Sequence, residues 1–182
     1  MCIFRLRFIH SEKLERQRLT DSPSNSRNLK KDLSMLLFLD FDGVLHSAYS
    51  FNTKQLYSQI PIFEQFFRQP ENANIQFVIS STWRYGRDLH ALRQPFSPDI
   101  AARIIGKTPE DVATTRIGSR EQEILQYLHD TQREAEPWIA LDDVRSYFSR
   151  HLDRVYLCKP HTGLTLQDLP KLAQLINDFQ TA

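Results

Sequence analysis

Hydrophobic residues in this chain fall into two kinds of cluster. Short, mainly apolar runs, the length of a buried parallel strand, open the stretch Leu36–Leu45 and occupy Ala73–Ser80 and Trp138–Leu141. Elsewhere apolar positions recur every three or four residues, the period of a helix with one buried face. Ile60–Gln69 carries Ile62, Phe63, Phe66 and Phe67, and Arg120–Thr131 carries Ile124, Leu125 and Leu128. The last such segment, Thr165–Phe179, places Leu166, Leu169, Leu172, Leu175, Ile176 and Phe179 on one face. Pro61 suits a first helical turn, Glu121 and Glu123 suit the positive end of their helix, and Thr165 with Asp168 three residues on is a candidate N-cap. Weaker patterns predict a short helix over Asp88–Gln94 and strands over Ala101–Gly106 and Arg154–Cys158. Strands alternating with helices predict an α/β fold, a three-layer doubly wound parallel sheet with helices on both faces.

At 182 residues the chain fits one domain with a sizeable core. Its first 34 residues stand apart. They hold eight Lys/Arg against four acids, a local net charge of +4 in a chain whose total is +1, and they include the breaker cluster Ser22-Pro23-Ser24-Asn25-Ser26. We read 1–34 as a poorly ordered basic extension and 35–182 as the folded domain, with Met35 a candidate start of the functional protein. A net charge near zero gives no field argument for a nucleic-acid or membrane surface. Two cysteines, Cys2 and Cys158, are too few for a disulfide framework or a thiolate metal site, which favours a reducing compartment. No apolar run approaches the roughly 20 residues of a membrane span. The expected location is the cytoplasm.

The candidate chemistry lies where the strands end. Leu36–Leu45 runs from an apolar strand into Asp40-Phe41-Asp42-Gly43. Alternate strand residues share a side, so Asp40 and Asp42 face the same way at the carboxyl end, the edge at which open α/β sheets bind ligands. Two carboxylates there repel each other unless a cation lies between them, and hard oxygen ligands suit magnesium better than zinc. A solvated turn holding two aspartates is the plain alternative. The second strand ends on Ser80 and Ser81 and the fourth on Asp142 and Asp143, so three strand ends deliver polar groups to one edge.

Taken in order, these strand ends resemble the motifs of the haloacid dehalogenase (HAD) superfamily. Its members are mostly magnesium-dependent phosphohydrolases. The D-x-D-G-V of Asp40 to Val44 is similar to the first motif, and the serine ending strand two to the second, with Ser81 the better match and Ser80 the alternative. The acid pair Asp142-Asp143 is similar to the fourth. For the third, a Lys or Arg upstream of the fourth, Arg120 stands 22 residues before Asp142, with Arg116 and Lys107 as rivals. More narrowly, V-I-S-S-T-W-R, R-I-I-G-x-T-P, R-E-Q-E-I and W-I-A-L-D-D-V resemble the HAD domain of Swiss Army Knife RNA repair proteins.

The resemblance implies catalytic roles. Asp40 is the expected nucleophile, forming an aspartyl-phosphate, and Asp42 the general acid and base. Magnesium is the expected cofactor, held by Asp40, the Asp42 backbone carbonyl and Asp143, with Asp142 direct or one layer out. Ser81 and Arg120 are expected on the phosphoryl oxygens. His46 reads as a turn histidine that could touch substrate, and Lys159 as a loop lysine that could neighbour the site; Trp83 and Arg84 could stack on or grip a leaving group at the pocket rim, with core packing and a surface ion pair as the plain alternatives. The gap after the first motif holds about 30 residues and the next fewer than about 40, too few for a large cap domain. An open site suits phosphate at the end of a polymer, and the narrower resemblance points to polynucleotide ends and RNA repair. The alternatives are a small-molecule phosphatase, transfer of the phosphoryl group to an acceptor other than water, and a catalytically silent HAD-like binding or regulatory module.

Overall fold

Five strands form one sheet, every neighbouring pair parallel, in the order β3-β2-β1-β4-β5. The structure is a computed structural model and describes residues 34–50, 52–110 and 117–180. The strands are β1 Met35–Leu39, β2 Ile75–Ile79, β3 Ile104–Lys107, β4 Trp138–Asp142 and β5 Val155–Leu157. The helices are α1 Ile60–Phe67, α2 Leu89–Arg93, α3 Pro98–Ala101, α4 Ser119–Asp130 and α5 Leu169–Gln180. The N-terminal extension read from the sequence lies outside the described residues, apart from Ser34.

Alternation along β1 builds two cores. Met35, Leu37 and Leu39 face one layer with Phe63 and Phe67 of α1, Leu92 of α2, Ile100 of α3 and Leu172 and Ile176 of α5. Leu36 and Phe38 face the other with Ile124, Tyr127 and Leu128 of α4. Every residue of β1 is buried, as a central strand covered on both sides must be. The order reverses beside β1, since β2 and β3 continue on one flank and β4 and β5 on the other. The junction of β1 and β4 is thus the switch point where ligands bind in such sheets.

Three expectations shift in detail. Leu125 is exposed, and Tyr127 occupies the buried face of α4 in its place. The third strand starts at Ile104 because Pro98 opens a helical turn that runs to Ala101. The last helix starts at Leu169: the Asp168 carboxylate takes the Thr165 N–H and hydroxyl at 2.8 and 2.6 Å and closes 165–168 as a turn of its own, leaving Leu166 exposed. Between β1 and β2 only α1 and 3-10 turns intervene, and between β2 and β3 only α2, α3 and one such turn, so the described residues contain no large cap domain. No described helix is long and apolar enough to cross a membrane.

Candidate active site

The ladder hydrogen bonds bring three strand ends level. Asp40 N–H donates to the Leu141 carbonyl at 3.0 Å and Ser80 N–H to the Leu39 carbonyl at 2.8 Å, which sets Asp40, Ser80-Ser81 and Asp142-Asp143 side by side. One carboxylate oxygen from each of Asp40, Asp142 and Asp143 lies within 4.8 Å of the other two. The Asp42 carboxylate is not part of this group, which leaves only its backbone carbonyl for the ligand role expected of it.

Asp40 and Asp142 are buried, and few positive groups compensate them. Burial pushes the Asp40 carboxyl above its ordinary range, against the opposing pull of Arg120, the Ser81 hydroxyl and the Phe41 N–H, which donates to Oδ1 at 2.7 Å. Burial and then the charge of Asp40 push Asp142 up to about 8 and Asp143 to about 6. Three acids so close, each pushed up by burial and by its neighbours' charge, are a donor set that a divalent hard cation would neutralise. The residues present therefore fit magnesium. Gly43 shapes the cradle: its φ is +69°, and the Asp143 side chain packs where a Cβ would stand.

Arg120 opens α4 and points back into the acids. Its Nη2 lies 3.5 Å from Asp40 Oδ2 and its Nε 3.4 Å from Asp142 Oδ2. Burial works against its charge, but Asp40, Asp142 and Glu123 outweigh this and raise its pKa. Nε and Nη1 are buried without a hydrogen bond, two donors available to an incoming anion. Of its two rivals, Lys107 is engaged elsewhere: its ammonium donates to the carbonyls of Arg84 and Arg87 and to Glu110. Arg116 lies outside the described residues. Ser81 is fully buried, and its hydroxyl reaches Asp40. Ser80 Oγ is buried with no hydrogen-bond partner.

Asp42 sits in a frame of its own. His46 Nε2 lies 3.0 Å from its Oδ1, and the Trp83 indole N–H donates to its Oδ2 at 2.8 Å. The His46 hydrogen bond, aided by Trp83 and opposed by burial, holds the Asp42 carboxyl below its ordinary range. His46, which directly follows the turn at 43–45, is thus a buried partner of Asp42. The four-residue spacing from Asp42 to His46 was the available signal. Nothing in the sequence pointed Trp83 at Asp42.

Arg84 is also not a surface residue. It is fully buried, pairs with Glu123 at 2.8 Å and donates to the carbonyls of Ser81 and Thr108 at 2.8 and 3.1 Å. Glu123 lies 3.7 Å from Arg120 Nη1 with its other oxygen, so one carboxylate serves both arginines. Lys159 is exposed and forms no ion pair with these acids, while His161 stacks on Tyr49. Those two rings and Ser47, Ser58, Gln59 and Thr162 wall a groove of about 510 Å³ between the loops after β1 and β5. Among its described walls there is no Lys, Arg, Asp or Glu.

The family profile of the HAD domain in Swiss Army Knife RNA repair proteins matches residues 36–169, most of the chain. The chain belongs to this HAD family. The match runs from β1 to the first residue of α5 and so takes in all five strands and every acid of the cluster. No curated protein and no solved structure matches the chain. The family suggests phosphohydrolase-type function, and the cluster of Asp40, Asp142 and Asp143 fits it.

Proposed function

We propose that this HAD domain is a magnesium-dependent phosphomonoesterase that works through an aspartyl-phosphate on Asp40 and acts on phosphorylated polynucleotide ends. The observation that carries the reading is the meeting of Asp40, Asp142 and Asp143 with the two unpartnered donors of Arg120 at the switch point. Mutually repelling buried acids are costly to a binding module and useful to an enzyme, which sets the silent-module reading below this one. Asp40, Asp143, the Asp42 carbonyl and Asp142 would hold magnesium, which would supply positive charge to offset that developing on the phosphoryl group.

The chain's own groups divide the remaining work. Asp40 has its Oδ1 fixed by the Phe41 N–H, and its other oxygen faces Arg120. Ionised Asp40 attacks phosphorus and the bond to the leaving oxygen breaks. The free N–H groups of Arg120 take phosphoryl oxygens as charge builds on them. The Ser81 hydroxyl, beside Asp40, is placed to do the same.

Asp42 is ionised in the free protein, the form that deprotonates the water attacking the aspartyl-phosphate. In the first half-reaction, arrival of an anionic phosphate beside it raises its pKa and lets it carry the proton that the leaving oxygen takes. Trp83 and His46 hold it in place through both steps. The open edge leaves room for a polymer, and the uncharged polar groove suits a sugar better than a second ion.

The test is phosphate release, with magnesium and with EDTA, from an aryl phosphate and from 3′- and 5′-phosphorylated oligonucleotides. Metal-dependent release with preference for an oligonucleotide end supports the proposal. Release from the aryl phosphate alone favours a small-molecule phosphatase, and none from any of them in folded protein that binds magnesium favours the silent module.

A further inference from the structure

Among the described residues, Arg87 is a cation at the rim of this site that no acid claims. Arg84 is spent on Glu123 and backbone carbonyls and Lys107 on Glu110 and backbone carbonyls, while Arg120 faces Asp40 and Asp142 and the transferring phosphoryl group. Arg87 is exposed, and its guanidinium carbon lies 4.9 Å from the centroid of the Trp83 ring. The Tyr57 hydroxyl lies beside it. No carboxylate pairs with it among the described residues. Its charge is held by a ring face and a neutral hydroxyl, which leaves donors of its planar fork for an anion.

The backbone beneath it is fixed. The Arg87 N–H donates to the Arg84 carbonyl at 3.2 Å, and the Arg87 carbonyl takes the Lys107 ammonium at 2.7 Å. Lys107 in turn pairs with Glu110 at 2.7 Å. The sequence's rival for the third motif thus braces the turn that presents Arg87.

The placement relative to Asp42 decides which part of a substrate Arg87 meets. Trp83 touches Asp42 through its indole N–H and Arg87 through its face. The leaving oxygen must approach Asp42, so the group attached to it emerges beside Trp83 and Arg87. The transferring phosphoryl group is already met by Arg120 and Ser81. An anion at Arg87 therefore belongs to the leaving group.

We propose that Arg87, seated on Trp83 beside Asp42, binds the phosphodiester that adjoins the terminal phosphate of a polynucleotide. This rests on the phosphomonoesterase reading and extends it to how the leaving strand is held. A polynucleotide fits better than a phosphopeptide for two reasons. Its next anion lies at a fixed place along the strand, and the half-buried rings of Trp83 and Tyr57 offer faces on which a base can stack.

The test compares Arg87→Ala, Arg87→Lys and wild type, as full-length chains, on three substrates: an aryl phosphate, a terminally phosphorylated oligonucleotide and a phosphoserine peptide. The expected result is that Arg87→Ala lowers kcat/KM at least about tenfold more on the oligonucleotide than on the aryl phosphate, through KM, with Arg87→Lys partly restoring it. The slope of log(kcat/KM) against log salt for the oligonucleotide should also become shallower by about 0.7, one single-strand phosphate contact. Equal losses on oligonucleotide and aryl phosphate overturn the proposal, and so does a selective loss confined to the phosphopeptide. If wild type releases phosphate from nothing, the phosphomonoesterase reading fails separately. Fluorescence anisotropy with the same oligonucleotide then decides about Arg87: about tenfold weaker binding by Arg87→Ala supports its role, and unchanged binding refutes it.

Discussion

Replacing Gly43 with alanine puts a methyl group where the Asp143 side chain lies. An ideal Cβ at this position would stand 2.7 Å from Asp143 Cβ and closer still to its carboxylate, whereas ordinary contact begins at 3.4 Å. Asp143 must therefore retreat by about 0.7 Å at its Cβ and by more at the oxygen offered to a cation. The backbone adds strain, because φ at Gly43 is +69° and an L-residue there costs about 1–2 kcal/mol. A misplacement near 1 Å in a catalytic constellation costs on the order of 100-fold, or about 2.7 kcal/mol in the barrier. Gly43→Ala should therefore lower the melting temperature by a few degrees, weaken magnesium binding about tenfold or more and reduce kcat/KM about 100-fold. Calorimetric magnesium titration, thermal melts and phosphate release measure the three. Wild-type magnesium affinity and rate in a folded Gly43→Ala protein would refute the claim that Gly43 exists to seat Asp143.

Other expectations follow from the same geometry. The carboxyls of Asp142 and Asp143 titrate near 8 and 6 in the fold against an ordinary value of 3.8, so between pH 4 and 8 the folded state holds more protons than the unfolded one. Their contribution to stability is therefore lost as pH rises through that window, and magnesium should raise the melting temperature more at pH 8 than at pH 5; an equal shift at both would contradict the acid cluster as its site. Trp83→Phe keeps the ring but leaves Asp42 Oδ2 without its donor, which should lower kcat/KM about tenfold and raise the Asp42 pKa, seen as a displaced acid limb of the pH–rate profile; an unmoved profile counts against Asp42 as the proton-transfer group. Glu123→Ala leaves the fully buried Arg84 without its carboxylate and should cost about 3–5 kcal/mol in urea unfolding, whereas a loss below about 1 kcal/mol would show that the backbone carbonyls suffice.

The sequence made much of this architecture legible because strand ends are local. An apolar run that stops on acids declares both its burial and its edge, and β1 with Asp40 and Asp42, and β4 with Asp142 and Asp143, did so. The sheet order and the switch point beside β1 come from nonlocal pairing and needed the structure. Arg120 was chosen by spacing alone, whereas its 3.5 Å approach to Asp40 depends on how α4 packs over the sheet. The burial of Arg84 was not legible because charge reads as exposure in a sequence, and only the fold supplies the Glu123 carboxylate and the carbonyls that let it be buried. His46 was underrated because a histidine past a turn carries no sign of where its ring points, though its four-residue spacing from Asp42 was visible. The joining of Trp83 to Asp42 spans 41 residues and had no local signal.

In the proposed mechanism Asp40 is the group that receives the phosphoryl. The most direct measurement is rapid acid quench of wild type and Asp40→Asn with a radiolabelled phosphomonoester and magnesium, followed by peptide mapping of the label. Urea unfolding and magnesium binding of the variant confirm that its site is intact. The expected result is a hydroxylamine-labile phosphate on the wild-type peptide that contains Asp40, with no label and no phosphate release in Asp40→Asn. Label on another residue, or release by Asp40→Asn at the wild-type rate, would contradict it.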